Sequence, residues 1–201
     1  MSRFIGENIS VSVFGQSHSE AIGVVVEGLP SGITINEDSI KSFMKRRAPS
    51  ASAFSTQRKE EDAPVFVSGV LNGKTTGAAV SAVIFNKDQR SKDYSDLFNT
   101  PRPGHADYTA RVKYKGLEDY RGGGAFSGRM TAPLCIAGAI AKDFLSEKGI
   151  TIGSHILSVA DISIQLKIIQ LIIHMHFLSL MLLIKKMLTM CLKLCMKHLN
   201  Y

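Results

Sequence analysis

After residue 162 the chain contains no glycine, proline, alanine, valine, arginine or acidic residue, although all 17 of its glycines precede that point. Tight turns and chain reversals depend on Gly, Pro, Asn and Asp, so a compact body has to be built from residues 1–162. Residues 163–201 form a second compositional block dominated by Leu, Ile, Met, Lys and His. Three readings of that block stand side by side. A helical apolar tail is one. A membrane segment over residues 168–184 is another, but it falls short of the roughly 20 residues a span needs and carries Gln170, His174 and His176. Out-of-frame translation of A/T-rich DNA is the third; it best accounts for the residue usage, and the block is read as anomalous on that ground.

The same boundary organises the charge. Of the formal net charge of +7, the lysines at 167, 185, 186, 193 and 197 supply +5, which leaves the body close to neutral. A nucleic-acid binder needs a basic stripe on its folded body. Only one short run, Lys45, Arg46 and Arg47, is present there, so no nucleic-acid partner is expected. Cys135, Cys191 and Cys195 have no disulfide-framework spacing, and Cys191 and Cys195 lack accompanying ligands, so no metal site is expected. The opening MSRFIGENIS lacks the apolar segment of a secretory signal. A cytoplasmic protein with no membrane partner is the expectation.

Within the body, residues 9–14 (ISVSVF) alternate as a half-buried strand does, and residues 22–27 (IGVVVE) form a second β-branched run. The segment NEDSIKSFMKRR reads as a helix capped by Asn36, with acids in its first turn, cations at its end, and Ile40, Phe43 and Met44 on one face. Residues 65–71 and 78–85 read as a strand pair around a turn at Asn72, Gly73 and Lys74. Residues 86–129 fit neither period, yet their aromatic residues argue against disorder. A last helix spans about 131–148, with Pro133 in its first turn and Leu134, Ala137, Ala141, Phe144 and Leu145 facing inward.

Three loops could carry chemistry. His18 follows the first strand in GQSHS, where a partly solvated imidazole can act as acid or base near neutral pH. Ser17 beside it makes a poor Ser–His dyad, because neighbouring side chains on an extended chain point apart. In RPGHADY, the turn at Pro103 and Gly104 presents His105 with Arg102 and Asp107 nearby, and Asp107 could orient the ring. The stretch RGGGAFSGR sets three glycines between Arg121 and Arg129, a composition suited to an amide cradle for an anion, with the helix start near Thr131 behind it. It matches neither common nucleotide-binding fingerprint. A satisfied loop histidine, a flexible glycine loop, and a cationic helix end that merely complements its dipole are the bland alternatives.

In order and spacing, FGQSHSEAIGVVVEGLPSGI, RRAPSASAFSTQRKEED, SGVLNGKTTG, NKDQRSKDY, RPGHADYTARVKY and DYRGGGAFSGRMTAPLCIAGAIAK resemble chorismate synthase over residues 4–160. The resemblance implies an α/β (α+β) fold, a β–α–β sandwich assembled as a homotetramer. It implies a lyase that eliminates phosphate, 1,4-anti, from 5-enolpyruvylshikimate 3-phosphate to give chorismate. Reduced FMN is the implied cofactor, with NADPH as its reductant in some members. His18 is matched to protonation of the departing phosphate and His105 to protonation of reduced flavin. Arg47, Ser127 and Arg129 are matched to the cofactor, and Ser17, Arg47 and Arg121 to the substrate.

The chain also departs from the family pattern. Gln16 and Ser19 replace the commoner Glu and Gly of the first motif; Ala125, Phe126 and Met130 are subgroup variants; and Ala53 stands where many members carry a cation. The chain is about half the usual length and lacks the RHDP-type motif, so a truncated and impaired enzyme is expected over 1–162. A non-catalytic FMN- or phosphate-binding module is the alternative.

Overall fold

A computed structural model describes residues 2–47, 62–86, 100–154, 156–159 and 161–163. The expected anomalous tail, beyond Ser163, lies outside the described residues, as do Ala53 and most of NKDQRSKDY. Packing divides the chain into Met1–Thr151 and Ile152–Tyr201.

The first unit is built on a five-stranded antiparallel sheet in the order β1 (Ser2–Ile5), β2 (Ser10–Gly15), β3 (Ala21–Glu27), β7 (Val80–Phe85), β4 (Val65–Ser68). Register explains the core. Val11, Val26 and Val80 form one row across three strands, Val13, Val24 and Ala82 the next, and Gly15, Ile22 and Ile84 the third. Apart from the half-buried Val11 and Gly15, these residues are buried and meet Ile40, Met44, Ile136 and Ile140 from two helices. β7 shows the strict alternation expected of a one-sided strand, whereas the more central β3 buries the consecutive residues Ile22, Gly23 and Val24 and also Val26.

The first helix, α1 (Glu37–Arg47), starts as expected: Asn36 Oδ1 accepts the Ser39 N–H at 3.0 Å. Its last residue is Arg47, so the helix itself delivers that guanidinium to the site. α1 packs on α3 (Thr131–Glu147), which lies over β3 and β7. Ser39 Oγ donates to Asp143 Oδ1 across the two helices, at 2.9 Å. The inward face of α3 differs from the expected one. Ala132, Pro133, Ile136, Ala139 and Ile140 are buried, while Leu134 and Ala141 are exposed. Because α3 is apolar almost all round, periodicity could not choose between adjacent stripes.

Two further expectations are corrected. Residues 65–71 are not one strand. The register of β4 on β7 shifts between Phe66 and Ser68, and a bend at Gly69 (φ +78°) separates β4 from β5 (Val70–Leu71), which pairs locally with β6 (Lys74–Thr75). Asn72 and Gly73 both have positive φ, as a two-residue hairpin turn requires. Within the supposedly irregular 86–129 lies α2 (Asp107–Tyr114), which buries only Asp107 and Ala110 and so leaves little apolar period to read. Mixed helices on an antiparallel sheet are the α+β class expected from the sequence. In the second unit, β8 (Ser158–Val159) and β9 (Ile162–Ser163) pair as an antiparallel hairpin. Among the described residues, no helix is long and apolar enough to cross a membrane.

Candidate functional site

His105 sits in the turn before α2, and Asp107 is the first residue of that helix. Asp107 Oδ1 lies 2.5 Å from His105 Nδ1. Arg102 closes over the same carboxylate, its Nε 2.8 Å from Oδ2, its Nη2 2.9 Å from Oδ1, and its backbone N–H donating to Oδ2 at 3.0 Å. Hydrogen bonds from Arg102 hold the Asp107 carboxyl well below the usual carboxylate range, with His105 adding to the effect and burial opposing it. An ionised carboxylate at Nδ1 requires a proton on Nδ1, which leaves Nε2 as the atom that can take up or release one.

Asp107 gives this cluster a definite pH response. Its folded pKa is lowered, so its contribution to stability is complete above the unfolded value of about 4 and is lost as pH falls below it. Thermal melts in acid should therefore lose stability more steeply for the native chain than for Asp107→Asn; parallel curves for the two proteins would contradict this account.

Ser17 and His18 occupy the turn between β2 and β3, and each is only 2% exposed. The imidazole is thus buried, not partly solvated as expected. Hydrogen bonds within the turn and to Gly124 and Asn86 hold it. Ser19 Oγ accepts the Gln16 N–H at 2.9 Å, Ser17 N–H donates to the Gly124 carbonyl at 3.1 Å, and Asn86 Nδ2 donates to the Ser19 carbonyl at 2.8 Å.

The glycine run joins the two histidines. Gly122 (φ +59°) and Gly123 (φ +85°) are both left-handed. A methyl carbon on Gly122 would lie 2.3 Å from His18 Cε1 and 2.8 Å from Ser17 Oγ. One on Gly123 would lie 2.8 Å from His105 Cε1 and 3.0 Å from its Nε2. Successive glycines are therefore pressed against the two imidazoles. Ser17 and His18 also approach the same glycine, so they do not point apart; the chain turns there instead of running extended. Of the amides in the glycine run, Gly123 N–H donates to the Tyr120 carbonyl at 3.1 Å, and Gly122 and Gly123 leave the space the two rings occupy.

Arg47 and Arg129 converge on one carboxylate. Arg47 Nη1 donates to Asp62 Oδ2 at 2.6 Å, and Arg129 Nη1 donates to Asp62 Oδ1. The Asp62 side chain is fully buried, Arg129 nearly so, and Arg47 about one-fifth exposed. Asn86 Oδ1 accepts from Arg129 Nε and Nη2 at 3.2 and 3.1 Å. Ser127 Oγ accepts the Arg129 N–H at 3.3 Å and begins the 3₁₀ turn Gly128–Met130. Arg47 Nε reaches Thr131 Oγ1 at the start of α3, at 3.3 Å.

Sequence reasoning missed Asp62 and Asn86. The one usable signal for Asn86 is its position directly after an alternating strand, and Asp62 is hidden in an acidic run that looks like solvated surface. Arg121, expected to charge the cradle, instead grips Asp119 through Nε and Nη2 at 2.7 and 2.8 Å. That pairing lowers the Asp119 pKa and raises that of Arg121, so the guanidinium charge is locally compensated.

Behind Gly123 lies a cavity of about 590 Å³, walled by β2, α2 and residues 117–126. Phe14, Tyr114 and Phe126 make it largely apolar, and neither histidine lines it. Glu118, 8% exposed, faces it beside Arg111, with Nε and Oε1 3.5 Å apart.

The sequence model of the chorismate synthase family matches residues 9–193. The chain belongs to the chorismate synthase family. Chorismate synthase of Methanocaldococcus jannaschii is 52% identical over 141 residues, which cover 70% of this chain and 37% of that protein. The enzymes of Thermococcus gammatolerans and Paraburkholderia xenovorans are each 48% identical, over 151 and 161 residues. Those alignments cover 75% and 80% of this chain and 42% and 44% of the relatives. The chain thus spans about two-fifths of the length of the curated relatives it matches. A crystal structure of chorismate synthase superposes with a TM-score of 0.57 at 29% identity, covering 79% of this chain and 40% of the other.

Proposed function

We propose that this chain carries one part of a chorismate synthase site, in which phosphate is eliminated from 5-enolpyruvylshikimate 3-phosphate. The carbon–oxygen bond breaks, phosphate leaves with the electron pair, a ring proton is lost, and a new ring double bond gives chorismate. The observation that carries the reading is the seating of His18 and His105 against adjacent glycines of one turn. His18 serves as proton donor to the departing phosphate, and Ser17, beside it, hydrogen-bonds the same group. His105 is held by Asp107 with Nε2 toward the turn, where it holds the second proton.

Arg47 and Arg129 bring two guanidinium groups to the Asp62 carboxylate, and guanidinium groups suit an anionic ligand. Arg47 is the more exposed of the two. Arg47, together with Ser127, fits the phosphate of FMN, and the same cation could meet the substrate. When bound in reduced form, FMN supplies transient electron density to the substrate with no net redox change. Arg121 is assigned a weaker share in substrate binding because Asp119 compensates it. No residue is assigned to NADPH. A cytoplasmic homotetramer belongs to the same reading, and sedimentation checks the assembly.

Fluorescence titration of the full chain with FMN tests the proposal. Saturable binding is expected, weakened about tenfold or more by Arg47→Ala, the usual scale for a hydrogen bond to a charged group. An assay for phosphate release under reducing, anaerobic conditions follows. Binding with turnover supports the enzyme, binding without turnover supports the non-catalytic module, and absence of FMN binding overturns the reading.

A further inference from the structure

We propose that Asp62 and Asn86 are positioning residues that lock the Arg47 and Arg129 guanidiniums to each other and to the turn bearing Ser17 and His18. The first link is electrostatic. Two guanidinium groups in one buried place repel, and each loses hydration there. One carboxylate between them, with an oxygen for each, removes the repulsion and fixes their spacing. Asp62 adopts a left-handed backbone (φ +48°), unusual for a residue with a side chain, and its carboxylate is fully buried.

The second link is Asn86, whose amide has opposite ends with opposite tasks. Its oxygen accepts two bonds from Arg129. Its nitrogen faces the Ser19 carbonyl at 2.8 Å and those of Gln16 and Ser17 at 3.4 Å each. Donors on one side and carbonyls on the other settle which end is which. No aspartate, leucine or serine could serve both sides at that reach. An unbroken run of contacts therefore leads from Arg47 through Asp62, Arg129 and Asn86 to the main chain flanking His18. The cluster around His105, Asp107 and Arg102 is held by separate bonds.

The inference rests on the functional reading above for its consequence, but the NMR arm of its test does not. The ring Cε1–H signals of His18 and His105 can be followed by NMR in the full chain. Asn86→Asp keeps an acceptor for Arg129 and removes the donor to the turn. It should displace the His18 signal and leave that of His105 in place, whereas a merely structural defect would move both. Asp62→Asn should displace the His18 signal less and weaken FMN binding about tenfold, with Asp62→Glu recovering part of it. If Asp62→Asn does not fold, Asn86→Asp and Asn86→Ala decide the matter. An unmoved His18 signal in both Asn86 variants overturns the inference, as does equal displacement of both histidines. Should the native chain fail to bind FMN while His18 alone responds, the functional reading falls and the positioning role stands.

Discussion

Gly122→Ala is expected to destabilise the protein by about 2–5 kcal/mol, combining about 1–2 for a side chain in the left-handed region with about 1–3 for overpacking. The new methyl would stand 2.3 Å from His18 Cε1 and 2.5 Å from its Nδ1. Relief by rotating the ring is blocked, because His18 is 2% exposed and its neighbour Ser17 Oγ lies 2.8 Å from the same point. Relief by moving Gly122 is blocked too: the Gly124 carbonyl is tied to the Ser17 N–H. Gly128→Ala is the matched control, since a methyl there meets nothing within 4 Å and the residue is exposed. Its effect should stay within about 1 kcal/mol. Urea unfolding followed by circular dichroism measures both, and equal midpoints for the two variants would show that His18 does not press on the glycine turn.

Asp62→Ala should cost about 3–5 kcal/mol, the usual result of removing one partner from a buried ion pair. The loss arises from what remains. Arg129, with its side chain 6% exposed, would face Arg47 without the Asp62 carboxylate between them. Adding Arg129→Met to Asp62→Ala should recover much of the loss, because an apolar replacement no longer needs a counter-charge. The same urea series on the single and double variants checks this. A double variant as unstable as the single one would mean that Asp62 acts through something other than the guanidiniums.

These two expectations mark where sequence reading succeeded and where it stopped. Asn36 and the acid-to-base gradient of α1 were legible because capping and dipole effects act within one turn of chain. The pairing of His105 with Asp107 was legible for the same reason, two residues apart on a turn set by Pro103 and Gly104. In α3 the helix was legible but its buried face was not, since several apolar stripes compete and only the sheet beneath selects one.

Local chemistry in the sequence determined β2, β3 and β7, the Asn36 cap, the hairpin turn at Asn72 and Gly73, and the pairing of His105 with Asp107. Tertiary structure alone decided that His18 and His105 meet one glycine turn more than a hundred positions from the first of them. It alone also decided that an aspartate from an acidic run would become the fully buried partner of two arginines 15 and 67 residues away. The physical reason is that backbone preferences and short hydrogen bonds are written between near neighbours, whereas burial and charge compensation are settled only when distant segments close on the same space.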